Sequence, residues 1–424
     1  MPGRTVSAVV TAHGECLGIF GPFPVDSRWW ADVEPVVTHL REALEVPVMV
    51  LRLLDVEGGD GARDGHVTYH VEASRRPSDR RLAPWPFDHD TSVKPAARRA
   101  EWATSAGLRE ALNWTDTALR TAGRPASGPV EQVKTWNLAG LFRIPTTLGP
   151  VWLKTTPPFA AREADVIGAF ARVDPGLVPT VLAADPAGGR VLLEHVPGTD
   201  CWDPSAATIR GAVSRLVKAQ AALAQRPGTV PDGLPDRTPL LLVDQIKQLL
   251  DGEAADDLTA GELTAAHDLA QHLPALVAEL DACGLPHTLV HGDFHPGNWR
   301  SDGQRTVVVD FSDSHFGHPV LDGLRPREFL SDQGWAHAAD AWTATWSACQ
   351  PGCDPARALA IAAPLGHLAY AVRYQEFLDN IELSEHRYHV GDPAQTIRAA
   401  LKSTTMIDRQ PTPVRAIPPP AVAR

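Results

Sequence analysis

Basic residues are scarce in this 424-residue chain: 39 Lys and Arg stand against 51 Asp and Glu, for a formal net charge of −12. That balance argues against a nucleic-acid partner, because a phosphate backbone is bound by a basic surface. Long apolar runs are missing as well. None approaches the roughly 18 residues that a membrane span needs. The five cysteines, Cys16, Cys201, Cys283, Cys349 and Cys353, are unpatterned, which argues for a reducing compartment rather than a disulfide framework. Cys349 and Cys353 are four apart, yet no second ligand pair stands at zinc spacing. The opening Met1-Pro2-Gly3-Arg4 leads into a strand with no apolar signal core, so a cytoplasmic protein is expected. What remains is ordinary for a soluble globular chain, 44% apolar and 21% charged, with room for two or three domains.

One stretch stands out from this background. His291-Gly292-Asp293-Phe294-His295-Pro296-Gly297-Asn298 is followed twelve residues later by Asp310, inside Val307-Val308-Val309-Asp310-Phe311-Ser312-Asp313. Asp302-Gly303 lies between, and Asp-Gly between two β-forming runs is a hairpin signal. A two-residue turn there sets Asp310 opposite His295 and gathers Asp293, Asn298 and Asp310 at one end of the ribbon. Two carboxylates and an amide at one place suit a hard cation such as Mg²⁺. A second metal reading is open: His291, Asp293, His295 and Asp310 as the histidine–carboxylate site of a hydrolase.

The rest of the chain sorts by composition and period. In residues 1–75, Val6–Val10, Cys16–Phe20, Val46–Leu51 and His66–Val71 read as strands. Trp29, Val33, Val36, Val37, Leu40 and Leu44 recur at helical spacing after a candidate cap at Asp26-Ser27. That is one sheet with a helix on one face, and His13, His66 and His70 read as surface or strand residues. Arg75–Pro77 and Pro84-Trp85-Pro86-Phe87 read as irregular, and Glu101–Ala122 as one or two helices. Gly123-Arg124-Pro125-Ala126-Ser127-Gly128-Pro129 reads as a linker. A hairpin follows, with its turn at Asn137–Gly140, then the strand Val151–Lys154 and a helix from Phe159 to Val173. Val178–Ala183 and Arg190–Val196 are further strands. From Ser205 the pattern is helical, with Ala206–Ala224, Leu240–Leu250 and Leu263–Leu280 as helices. The proline-bearing tail from Gln410 reads as mobile.

At His291–Asn298 and Asp310 the chain resembles the aminoglycoside phosphotransferase and choline kinase-like family, small-molecule relatives of protein kinases. The resemblance spans about residues 130–400 and is strongest at 289–322. It implies an α+β, bilobal protein kinase-like fold, with a small β-rich N-lobe (130–198) and a helical C-lobe (199–409). A small α/β cap-like unit (1–129) precedes them, a layout similar to the maltokinase-like sugar kinases, and 410–424 forms a tail.

The resemblance also implies ATP and Mg²⁺ as cofactors, Asp293 as catalytic base and Asn298 and Asp310 as metal ligands. Lys154 and Glu163 are then the strand lysine and helix glutamate that position the α- and β-phosphates, with Asp165 the competing helix acid. Glu194 and Val196 fall in the segment whose backbone meets adenine. His291 braces the loop, Asp322 ties it down, and Asp313 serves metal or loop geometry. The turn at Asn137–Gly140 departs from the pattern, with one glycine in place of a glycine-rich run.

For the acceptor, residues 323–409 are helical by pattern and aromatic. Gln375, Asp379 and Glu382 share one helix face, either a solvated face or a receptor for the ammonium and hydroxyls of an amino sugar. The expected activity is ATP-dependent phosphorylation of a small-molecule hydroxyl, with sugar or amino sugar favoured and an aminoglycoside as a further candidate. A catalytically weak nucleotide-binding pseudokinase is the non-enzyme alternative. The acidic chain suits a cationic acceptor, and nothing in it bears on oligomeric state.

Overall fold

The computed structural model describes residues 4–78, 81–85, 96–160, 162–226, 228 and 230–407. The expectations for Pro86-Phe87 and for the tail from Gln410 lie outside them. The N-terminal unit is a four-stranded sheet of β1 (Arg4–Ala12), β2 (Glu15–Val25), β3 (Val48–Glu57) and β4 (His66–Ala73), in the order β2-β1-β4-β3. β1 is buried along nearly its whole length and runs parallel to β4, as a central strand covered on both faces does. The Glu34–Leu44 helix covers one face with Val36, Leu40 and Leu44. It starts seven residues later than an Asp26-Ser27 cap would place it. Ser27 donates instead to Asp32 (2.8 Å), because the chain first buries Trp30, whose indole N–H donates to the Asp64 carbonyl.

A short turn at Glu101–Ala103 and the Ser105–Thr121 helix follow, capped by Thr104, which accepts from the Gly107 N–H. The helix lays Leu108 and Leu119 on a second sheet. That sheet contains β5 (Glu131–Trp136), β6 (Ala139–Ile144), β7 (Val151–Thr155), β8 (Val181–Asp185) and β9 (Arg190–Glu194), ordered β5-β6-β7-β9-β8. Lys154 sits on its central strand between Leu141 and Val191. The Glu163–Ala171 helix packs Val166, Ile167 and Phe170 into the helical region below. There the Ala206–Ala224 helix has the bounds read from sequence, and its stripe Ile209, Val213, Leu216, Val217 and Leu223 is buried.

Short strands β10 (Thr199–Asp200), β11 (Asp236–Arg237), β12 (Thr288–Val290), β13 (Trp299–Ser301), β14 (Thr306–Val308) and β15 (His315–Gly317) form two small sheets beneath. The hairpin register differs from the sequence expectation. Trp299 pairs with Val308 and Ser301 with Thr306, so the loop has four residues, not two. The Asp302 carboxylate accepts from the N–H groups of Gln304 and Arg305, closing an Asx-type turn that absorbs the two extra residues. The ribbon still carries Asn298 and Asp310 to the same end.

The N-terminal unit is fastened to both other parts. At a bulge in β3 the Gln132 side chain accepts from the Val50 N–H (2.8 Å) and donates to its carbonyl (2.7 Å). On the far side, Arg52 and Arg99 converge on the buried Glu382 carboxylate at 2.7 and 2.5 Å. His70, read as a strand or surface residue, is a buried strand member of this clasp, bonded to Arg52 and to Thr11. The Leu53 N–H donates to Glu385 (3.1 Å), and Ser384 donates to the Leu53 carbonyl. Tyr388 belongs to the N-terminal core.

Two outcomes test the clasp. Glu382→Ala removes the carboxylate that two buried guanidinium groups share and should lower unfolding free energy by about 3–5 kcal/mol, measured by denaturant melts. Burial pushes the Glu385 carboxyl up to about 8, so between the ordinary glutamate range and that value the folded state holds a proton the unfolded state has lost. Stability from this group therefore falls as pH rises through that window. Glu385→Gln should flatten the decline and melt above wild type at pH 8.5, converging with it near pH 4.

Candidate active site

Asp322 organises the loop after β12. Its buried carboxylate accepts from the N–H groups of His291 (2.7 Å) and Gly292 (3.0 Å) and from the Gln220 amide (2.7 Å). Gly292 has φ +88°, and a Cβ there would lie 2.1 Å from the Asp313 carbonyl oxygen, so this position requires glycine. The Tyr370 hydroxyl donates to the Gly292 carbonyl. His291 accepts from the Asp293 N–H at Nδ1, which leaves Nε2–H to donate to the Val309 carbonyl. Both ring nitrogens are thus spent on bracing the loop.

Asp293 is wrapped in donors. Arg325 donates to Oδ1 (2.8 Å), and Asn298 donates to Oδ2 (3.1 Å) and to the Asp293 carbonyl (2.9 Å). His295 accepts from the Gly297 N–H at Nδ1, so Nε2–H faces Asp293 Oδ2 at 3.2 Å. Burial opposes the charge on Asp293, but Arg325 and His295 outweigh it and hold the carboxyl well below the usual range. Arg325 itself lies between the rings of Tyr370 (4.2 Å) and Phe329 (4.7 Å).

Asp310 faces the same cleft. Its φ is +65°, a left-handed conformation that costs a non-glycine residue about 1–2 kcal/mol. The turn is held from both sides: the Val309 N–H donates to the Asn298 carbonyl, and the Phe311 N–H donates to Glu163 (3.0 Å). Lys154 Nζ sits between Asp310 (2.6 Å) and Glu163 (2.9 Å). Its side chain is only 8% exposed, whereas that of Asp310 is 42% exposed toward the cleft. Burial disfavours the Lys154 charge, but the two carboxylates more than offset it and raise its pKa. In return, against the cost of burial, Lys154 and Ser312 hold the Asp310 carboxyl below its ordinary value. Asp165 turns outward to Arg162, so Glu163 is the helix acid that meets the lysine.

Asn298 Oδ1 and Asp310 Oδ2 receive no hydrogen bond among the described residues. Two such oxygens fit Mg²⁺, which takes one or two protein ligands and completes its shell with phosphate and water. The hydrolase alternative does not fit: no cluster of three or more His, Cys, Asp or Glu suited to a metal occurs among the described residues, and the His291 nitrogens are occupied.

A cavity of about 290 Å³ opens over Asp293 and Asp310. Its walls include Trp136 and Leu138 of the β5–β6 hairpin, Tyr374 and Phe377 of the Ala363–Asn380 helix, and Asp313. Asp313 is engaged by Arg373. Asp379 and Glu382, read as acceptor ligands, do not line it. The helix ends at Asn380, so Glu382 leaves the shared face and spends its carboxylate on Arg52 and Arg99, while exposed Asp379 accepts from Gln375. Glu194 pairs with Arg124, and the Val196 carbonyl accepts from Arg300, at the junction between the second sheet and the helical region. Tyr370, one of the aromatics of the 323–409 region expected to shape the acceptor site, lines the cavity, whereas Arg325, Arg373, Gly61, Ala62, His389 and Asp392 escaped the sequence reading. No spacing rule marks them, since each reaches the site by packing.

The model of the phosphotransferase enzyme family matches residues 141–359, and the chain belongs to that family. It is a kinase-like phosphotransferase whose acceptors are small-molecule hydroxyls and whose cofactors are ATP and Mg²⁺. The fold is the bilobal protein kinase-like one. A choline kinase from Streptococcus pneumoniae is 14% identical with a TM-score of 0.52, covering 70% of this chain and 99% of that one. One from Cryptosporidium parvum is 10% identical with a TM-score of 0.50, covering 70% and 96%. A choline/ethanolamine kinase family protein from Mesorhizobium loti is 19% identical with a TM-score of 0.48, covering 70% and 99%. No curated protein matches the chain. No helix among the described residues is long and apolar enough to cross a membrane.

Asp322→Ala should cost at least about 1–3 kcal/mol, the penalty for one buried donor left unpaired. Denaturant melts monitored by tryptophan fluorescence would measure it.

Proposed function

We propose that the enzyme phosphorylates a hydroxyl of a sugar or amino sugar in the cytoplasm, with Asp293 as the acceptor-facing base. The observation that carries this reading is that Asp293 and Asp310 open on one cavity, with the Lys154–Glu163 pair beneath. Asn298 and Asp310 hold the cation, which when bound neutralises charge on the transferring phosphate. Lys154, steadied by Glu163, holds the α- and β-phosphates. The backbone around Glu194 and Val196 takes the adenine edge. Asp293, kept ionised by Arg325 and His295, is a weak base. It serves chiefly to orient the acceptor hydroxyl and takes the proton late, as a loose transition state allows.

The walls support a sugar. Trp136, Phe159, Tyr374 and Phe377 offer flat apolar surface, and Asp313 and Asp392 add carboxylates. Stacking on one ring face with hydrogen bonds at the rim is how such a surface meets a pyranose, and the acids favour an amino group. In this reading residues 1–129, 130–198 and 199–409 are the working units, a layout shared with maltokinase-like enzymes.

ADP release measured with glucosamine, maltose, kanamycin and choline tests the proposal. Turnover should be fastest with one of the sugars, should require Mg²⁺, and should fall about 10²–10⁴-fold in Asp293→Asn. It should vanish in Asp310→Ala. Wild-type rates in Asp293→Asn, or choline as the best acceptor, would overturn the reading.

A further inference from the structure

Three separate parts of the chain meet at the outer end of the cavity. Gly61 and Ala62 come from the N-terminal unit, Trp136 and Leu138 from the β5–β6 hairpin, and Tyr388, His389 and Asp392 from the segment after the clasp. The Gly58–Gly65 loop is not a loose flap. Trp30 N–H donates to the Ala62 carbonyl (2.9 Å), Asp64 N–H to the Arg28 carbonyl (2.8 Å), and the Arg28 guanidinium holds the Asp64 carboxylate. Its backbone turns through left-handed conformations at Gly58, Gly59, Gly61, Ala62, Asp64 and Gly65, so its shape is built in.

His389 supplies the chemistry. It is buried, and Nδ1 lies 3.4 Å from Asp392 Oδ2, which orients the ring as Nδ1–H donor. Nε2 is then a lone-pair acceptor, and it has no hydrogen-bond partner among the described residues. The rings of Phe377 (5.0 Å), Trp136 (5.9 Å), Tyr374 (6.0 Å) and Tyr388 (6.4 Å) surround the imidazole. A buried polar atom is costly unless something pairs with it, and His389 is one of the residues that line the cavity.

We infer that the N-terminal unit is one wall of the acceptor site, and that His389 Nε2 accepts a hydrogen bond from an acceptor hydroxyl or amine remote from the reacting one. The clasp of Arg52, Arg99 and Leu53 on Glu382, Ser384 and Glu385 holds the His389 segment in place. This deepens the kinase reading and rests on it. Its consequence is selectivity: the site takes a molecule with polar groups at both ends. An alcohol with one polar end leaves His389 unpaired, and a site built to bond a substrate group rejects analogues lacking it strongly.

The probe is whichever of glucosamine, maltose, kanamycin and choline the wild type turns over fastest, so wild-type rates alone judge the sugar reading and the variants judge this one. In Ala62→Leu, which narrows the wall, and His389→Phe, which keeps a ring but loses the acceptor atom, acceptor KM should rise at least tenfold more than KM for ATP. His389→Gln should recover part of the loss. Thermal melts establish that the variants are folded. Unchanged acceptor KM in folded Ala62→Leu and His389→Phe would overturn the inference, as would an equal rise in both KM values.

Discussion

A single buried ammonium ties the parts of this enzyme together. Lys154 stands on the central strand of the second sheet, Glu163 at the start of the helix beside it, and Asp310 on the loop leaving β14. Taking these charges out of water is expensive, and their mutual attraction offsets that only if the geometry holds. Glu163 meets the condition by serving two masters, Lys154 on one oxygen and the Phe311 N–H on the other. The sheet, the helix and the Asp310 turn therefore cannot shift independently, and the cleft between them keeps one shape.

A second buried cluster does for the N-terminal unit what Lys154 does for the cleft. Glu382 draws Arg52 and Arg99 to one point, and Tyr388 inserts among the N-terminal hydrophobics. The contacts are too buried and too polar for a unit that merely trails from the fold. They join the first strands of the chain to the segment that passes over the cavity. The same clasp explains why Glu382 is unavailable as an acceptor ligand.

Much of this was legible beforehand. Apolar β-forming runs located the N-terminal sheet, whose first strand is buried almost throughout, and the period-3.6 pattern located its helix and the Ala206–Ala224 helix, because each helix buries one stripe. The HGDxHxxN stretch and Asp310 were legible because loop chemistry constrains residue type and order locally. Asp322 as the tie for the loop followed from the family resemblance and is borne out by its two backbone bonds. The hairpin register was missed because an Asx turn at Asp302 and an Asp-Gly turn share the same two letters. The Asp26-Ser27 cap failed because burying Trp30 took precedence over a local hydrogen bond.

Sequence by itself determined the chemistry: which residues bear carboxylates, amide and lysine, and in what order along strand, helix and loop. Those depend on neighbours within a few residues, which a single chain displays directly. Only the tertiary structure decided which charges become partners. Arg325 on Asp293, Arg373 on Asp313, and Arg52 with Arg99 on Glu382 join residues up to 330 positions apart. Such pairings are chosen by packing and desolvation rather than by spacing, so they become visible only once the chain is folded.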